Sequence, residues 1–183
     1  MRLFRLTIAL LAITTIFSLA TLKAQEWQYS QHFGTTHGSE IRGLTLDSDT
    51  NLYVTAFHKD NMTLEGPSGT ESYVTSGAQD IVIIKFNPSG DILWTDSIHG
   101  TKSDYPRQIE LDNNEDPYIT GIYRNSALTI QDQVLDSPGE NYYDIFLAKY
   151  TKTGGDVFAR RVAWGGYDDR VDKISLDANN NVY

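Results

Sequence analysis

The sequence predicts an all-β fold of tandem four-stranded antiparallel units behind a targeting segment, with a repeat of about 65 residues. Three observations carry that prediction. An acidic turn recurs as Leu46-Asp47-Ser48-Asp49-Thr50-Asn51-Leu52-Tyr53, Leu111-Asp112-Asn113-Asn114-Glu115-Asp116-Pro117-Tyr118 and Leu176-Asp177-Ala178-Asn179-Asn180-Asn181-Val182-Tyr183, with Asp47, Asp112 and Asp177 evenly spaced along the chain. A second block, Asp80-Ile81-Val82-Ile83-Ile84-Lys85-Phe86, returns one repeat later as Asp144-Ile145-Phe146-Leu147-Ala148-Lys149-Tyr150. Between these blocks, apolar residues either alternate with polar ones or run in short β-branched and aromatic stretches, which is the pattern of strands. Tandem four-stranded antiparallel units are the signature of β-propeller blades, so the expected architecture is a partial propeller. A β-sandwich would leave the repeat without a reason.

The elements follow in order. Residues 1–24 begin with Arg2 and Arg5, continue with an apolar run from Leu6 to Leu22 and end at Lys23-Ala24-Gln25-Glu26. That is the layout of a secretory signal peptide, with cleavage after Ala24 or, alternatively, Ala20. The rival reading is an uncleaved membrane anchor, because the run is near the lower limit of ~17–20 residues for a span. Trp27–Phe33 matches the fourth strand of a blade and is expected to complete the last blade and close the ring.

The first blade is expected over 41–98, with strands at 41–47, 51–58, 80–87 and 91–98. The second is expected over 106–163, with strands at 106–112, 117–123, 144–150 and 156–163. Leu44/Leu46, Ile109/Leu111 and Ile174/Leu176 alternate as half-buried strands do, whereas Ile81–Phe86 is apolar enough to be buried on both faces. Pro117 fits only as the first residue of its strand, since it has no N–H for the ladder. Insertions at 59–79 and 124–142 share Met62-Thr63-Leu64 and Leu128-Thr129-Ile130, which predicts one small extra strand in each. Residues 171–183 begin a third, incomplete blade. A ring needs about four to eight blades. The chain therefore reads as the front part of a longer product, expected to be marginally stable and self-associating when alone.

The Leu-Asp-x-x-x-Asn-x-Tyr-Val-Thr stretch at 46–55, its partner ending in Tyr118-Ile119-Thr120-Gly121, the Asp-Ile-x-x-x-Lys-Phe/Tyr blocks and the Ser89-Gly90-Asp91-Ile92-Leu93-Trp94 turn resemble the bacterial β-propeller repeats called SBBP. The resemblance covers nearly all of 27–183; the first copy departs from it with Ala56 where the second has Gly121. It implies a secreted or surface propeller with no fixed enzymatic activity.

Composition bounds the function. The chain of 183 residues carries a formal net charge of −9, which becomes −12 once Arg2, Arg5 and Lys23 leave with the signal. Such a surface argues against a nucleic-acid partner. The absence of cysteine excludes disulfides, thiolate metal sites, a cysteine nucleophile and a lipoprotein anchor. No G-x-S-x-G turn or phosphate loop is present, and the four histidines have no ligand spacing. No catalytic residue is assigned.

The sharpest constellation is the acidic turn. Asp47, Asp49 and Asn51; Asp112, Asn114 and Asp116; and Asp177, Asn179 and Asn181 place oxygens at alternate positions, as a calcium loop begins. The sixth position, a glycine in such loops, is Leu52, Pro117 or Val182, and His58 and Tyr123 stand at the twelfth in place of Glu. These nine residues are therefore weak calcium candidates, and the expected state is a hairpin turn without a cofactor. Trp27, Trp94, Trp164, Tyr123 and Tyr142-Tyr143 have the chemistry to stack on sugars, but the Trp residues are expected to pack between blades. Asn61-Met62-Thr63 is a glycosylation sequon that would carry no glycan in a bacterial chain. The reading is an exported, non-enzymatic binding or scaffolding module at or outside the cell surface, for an extracellular protein or glycan. The alternative is the propeller part of a secreted enzyme whose catalytic residues lie beyond Tyr183.

Overall fold

A computed structural model describes residues 32–35, 37–66, 69–124, 126–137 and 141–183. The proposed signal and most of Trp27–Phe33 lie outside these residues. The described elements are all strands: β1 (His32–Gly34), β2 (Ser39–Leu46), β3 (Leu52–His58), β4 (Met62–Gly66), β5 (Gly69–Tyr73), β6 (Asp80–Phe86), β7 (Ile92–His99), β8 (Asp104–Leu111), β9 (Pro117–Arg124), β10 (Ser126–Ile130), β11 (Gln133–Ser137), β12 (Tyr143–Tyr150) and β13 (Asp156–Ala163). The chain is an all-β protein of four-stranded antiparallel propeller blades. β2, β3, β6 and β7 form the first blade, and β8, β9, β12 and β13 the second.

The acidic turns join strands one and two of each blade, and the tight turns at 87–91 and 151–155 join strands three and four. In the latter, Gly90 N–H donates to Asn87 O and Gly154 N–H to Thr151 O, both at 2.9 Å. Both glycines have positive φ, 88° and 96°, which a residue with Cβ adopts only under strain.

The insertions differ from the expectation of one short strand each. Each folds into a two-stranded hairpin, β4–β5 and β10–β11, and neither joins its own blade. β10 pairs instead with β7, the outer strand of the preceding blade, through Thr129↔His99 and Ile130↔Ile98. β4 pairs in the same way with β1 through Phe33↔Leu64, so the described end of the 27–33 segment stands where an outer strand would. The physical reason is twofold. An outer strand presents unpaired N–H and C=O groups that need a partner, and Leu64, Leu128 and Ile130 are fully buried only when the hairpins fold over.

The main core lies between the blades and mixes residues of both, with Tyr53, Ile81 and Ile83 against Ile109, Phe146 and Tyr150. Val54, Ala56, Val82, Ile84 and Phe86 form a second layer on the other face of the first blade, with Met62 and Leu64 of its hairpin. All of β6 is therefore buried, as its continuous apolar run predicts. Burial of such side chains is worth about 1.5–3 kcal/mol each.

The first copy of the alternating pattern departs from its expected half-burial. Leu44 is 58% and Leu46 59% exposed, whereas Ile109 and Ile174, the counterparts of Leu44, are 2% and 8% exposed. Ile109 is covered because it packs on the preceding blade: a Cβ on Gly43 would lie 3.1 Å from its Cγ2. Ile174 lies against the second blade, its N–H donating to Gln108 Oε1 at 3.0 Å. No sheet among the described residues covers Leu44 in that way. The departure at Ala56 also has a cause. Ala56 faces Val82 and Gly121 faces Phe146 across the same rung. A Cβ on Gly121 would run into the Tyr105 carbonyl oxygen and lie 2.6 Å from Phe146 Cε1, so the neighbouring backbone and the larger ring together require the glycine.

Both inner strands carry a bulge at the same repeat position, between Ile41 and Gly43 in β2 and between Pro106 and Gln108 in β8. The bulge explains how Pro106 sits as the third residue of a strand rather than at its expected start. The extra residue is an arginine each time, Arg42 and Arg107, and both border the cavity described next.

Candidate functional site

The acidic turns form in all three copies. Thr50 N–H donates to Asp47 O at 3.0 Å, Glu115 N–H to Asp112 O at 2.9 Å and Asn180 N–H to Asp177 O at 3.0 Å. Thr50, Glu115 and Asn180 take positive φ of 63°, 66° and 63°, so the three turns share one shape. Each leading carboxylate closes its own hairpin: Asp47, Asp112 and Asp177 accept the backbone N–H of Asn51, Asp116 and Asn181 at 2.8, 3.0 and 2.9 Å. Successive turns are also tied together, because Ser48 N–H donates to Glu115 Oε1 at 2.9 Å and Asn113 N–H to Asn180 Oδ1 at 3.0 Å.

A lysine from the third strand reaches each of the first two turns. Lys85 Nζ stands 3.0 Å from Asp47 Oδ2, and Lys149 Nζ stands 2.7 Å from Asp112 Oδ2 and 3.4 Å from Asp116 Oδ2. Each ammonium also lies over the tyrosine after its turn, 4.6 Å from the Tyr53 ring and 5.1 Å from the Tyr118 ring. Burial works to raise the Asp47 and Asp112 pKa values. For Asp47, the bonds from Asn51 and then Lys85 outweigh it and hold the carboxyl below its usual range. For Asp112, Lys149 and the turn N–H groups do the same. Asp49, Asn114 and Asn179 are exposed. Asp177 accepts the Asn181 amide at 2.8 Å and the Tyr183 hydroxyl at 3.3 Å. The nine oxygen-bearing residues thus form three hairpin turns, and among the described residues no group of His, Asp and Glu is arranged to hold a metal ion.

The aromatic candidates part company. Trp94 packs between blades, stacked on Tyr150 with centroids 6.2 Å apart, its Nε1 donating to Lys152 O at 3.0 Å. Tyr123 is 1% exposed and belongs to the core, which removes it as a surface for stacking. Trp164 is exposed beneath the Arg161 guanidinium, 4.7 Å from the ring centre. Trp27 lies outside the described residues. Tyr143 lines a cavity.

That cavity, about 490 Å³, opens where the first blade, the second blade and the segment after β13 meet. Its aromatic wall is continuous: Phe57 meets the edge of Tyr105 at 5.0 Å, and Tyr105 meets Tyr143 at 6.1 Å. Four cationic side chains, Arg42, Lys59, Arg107 and Arg170, border it against one carboxylate, Asp168. Asp168 Oδ1 accepts the Tyr143 N–H at 3.1 Å. Arg42 lies over Phe57 at 5.6 Å and bonds Glu40 at 2.8 Å. The ion pairs among the described residues include neither Lys59, Arg107 nor Arg170. Arg107 Nε is buried without a hydrogen-bond partner. Burial and then the neighbouring Tyr105 hold the Tyr143 phenol above its ordinary pKa, so it remains a hydroxyl. The sequence reading missed this cluster, although Arg42 and Arg107 occupy equivalent positions of successive repeats in an acidic chain.

No family model matches the chain. An uncharacterised WD repeat-containing protein of Acanthamoeba polyphaga mimivirus is 24% identical over 164 residues, a stretch that covers 76% of this chain. The chain spans 12% of that protein's length. WD repeats build propeller blades of four strands, the architecture seen here.

Proposed function

We propose that this β-propeller repeat protein is exported and serves as a non-enzymatic binding or scaffolding module at or outside the bacterial cell surface, with repeats of the SBBP type. The observation that carries the binding role is the cavity between the blades. It combines an aromatic wall with three cationic groups, Lys59, Arg107 and Arg170, that take part in no ion pair among the described residues. The repeated Asp, Lys and Tyr residues, by contrast, are committed to holding each blade's turns. Export is supported by the basic start, apolar run and polar boundary of residues 1–24. Fractionation of expressing cells with intact-mass measurement tests the reading. The expected product starts at Gln25 and is found outside the cytoplasm. Retention of the full chain in the cytoplasm or in the membrane overturns it.

A further inference from the structure

We propose that the cavity between the blades takes an acidic sugar, a pyranose ring bearing a carboxylate, and that Arg107 is its principal anchor. The proposal rests on the binding-module reading and names the ligand class for it.

Charge is the first argument. The chain has 24 acidic and 15 basic residues, yet this one cavity gathers four cations and a single carboxylate. Its carboxylate already accepts a backbone N–H, and Arg42 is shared with Glu40. Lys59, Arg107 and Arg170 remain to meet an anion. Arg107 is the most telling of them. Its Nε is buried with no partner, and a buried guanidinium donor left unpaired costs free energy until an acceptor arrives. A planar guanidinium fork matches a carboxylate through two parallel bonds.

Shape and wall chemistry are the second argument. The volume of about 490 Å³ lies within the range of small-ligand sites, about 300–1,000 Å³. Phe57, Tyr105 and Tyr143 offer an apolar wall for the face of a sugar ring. Inorganic phosphate has no use for such a wall. A polynucleotide would meet the repulsion of an acidic surface beyond the cavity.

The test is titration calorimetry on the exported chain with a galacturonic acid trisaccharide, the neutral galactose trisaccharide and inorganic phosphate. The acidic trisaccharide is expected to bind, more weakly as salt rises, and the neutral one at least about tenfold more weakly. Arg107→Gln and Lys59→Gln are each expected to weaken the acidic trisaccharide about tenfold, while Arg160→Gln, outside the cavity, leaves it unchanged. Lys59 is exposed, so its variant keeps the test valid should Arg107→Gln fold poorly. Equal binding of the two trisaccharides, phosphate binding as tight as the acidic sugar, insensitivity to both cavity variants, or no binding by the folded protein overturns the proposal. A neutral trisaccharide that binds regardless of Arg107 would sink the acidic-sugar proposal and leave the module reading standing. Cytoplasmic retention would sink the module reading through the fractionation alone.

Discussion

Trp94 lies nearly parallel to Tyr150, at 16° with 6.2 Å between ring centres, and so joins the last strand of one blade to the third strand of the next. Gly154 permits the approach, since a Cβ there would stand 3.0 Å from the indole. Tyr150 in turn donates its hydroxyl to Asp96 at 2.7 Å, back in the first blade. The blade junction is therefore a packed and hydrogen-bonded interface. Trp94→Ala is expected to lower stability by about 3 kcal/mol, in the range for losing a large aromatic from a packed site. Chemical denaturation of the variant checks it, and a change under about 1 kcal/mol would show that the blades hold together by other means.

Asp104 sets a pH dependence at the same junction. It is 1% exposed, and burial, followed by the nearby Asp80 carboxylate, raises its pKa from 3.8 to about 8. A carboxyl raised on folding favours the folded state fully below the unfolded pKa. That contribution is lost as pH climbs toward the folded value. Asp104→Asn is therefore expected to become more stabilising, relative to wild type, from pH 4 to pH 8 and to level off above. Melting curves of both proteins across that window decide it. A constant difference would mean that Asp104 keeps an ordinary pKa.

The Lys149–Asp112 pair predicts the opposite slope. Asp112 is held below 3.8, so its contribution is present above that value and lost as pH falls through the folded pKa. The pair is nearly buried, with side-chain exposures of 14% and 0%. Lys149→Met strands the carboxylate and is expected to cost about 3–5 kcal/mol at pH 7. The cost should shrink as pH falls through the pKa that Asp112 has in the variant, which lies above its wild-type value because the Lys149 bond is gone, since protonation removes the uncompensated charge. A penalty that stays constant down to pH 3 would assign it to packing instead.

The same ammonium groups bear on calcium. Lys85 and Lys149 place a positive charge against the carboxylates that a calcium loop would use. Millimolar calcium is expected to leave the melting temperature unchanged, and calorimetry should detect no site lost in Asp112→Ala. Micromolar binding abolished by that substitution would overturn this expectation.

Gly121 offers a packing test. Gly121→Ala drives a methyl against the Tyr105 carbonyl oxygen and to 2.6 Å from Phe146 Cε1, so a loss of about 1–3 kcal/mol is expected. Phe146→Val in the same chain recreates the Ala56/Val82 rung of the first blade and should recover part of that loss. Strictly additive destabilisation in the double variant would argue against the paired-volume account.

The repeat and its strands were legible in the sequence, because strand formation follows local periodicity and each turn depends on residues close together in the chain. Leu46–Tyr53 and Asp80–Phe86, read against their copies, put the inner and third strands nearly where they lie. Features whose partners are far apart in sequence had to wait for the packed molecule. The destination of the hairpins is one case, since nothing local makes Ile130 pair with Ile98. The exposure of Leu44 against the burial of Ile109 is another, because it depends on which face a neighbouring blade covers. The cavity is the third. Arg42 and Arg107 are ordinary repeat positions until two bulges bring them beside Phe57 and Tyr143, and convergence of that kind is a property of blade packing, to which local pattern is blind.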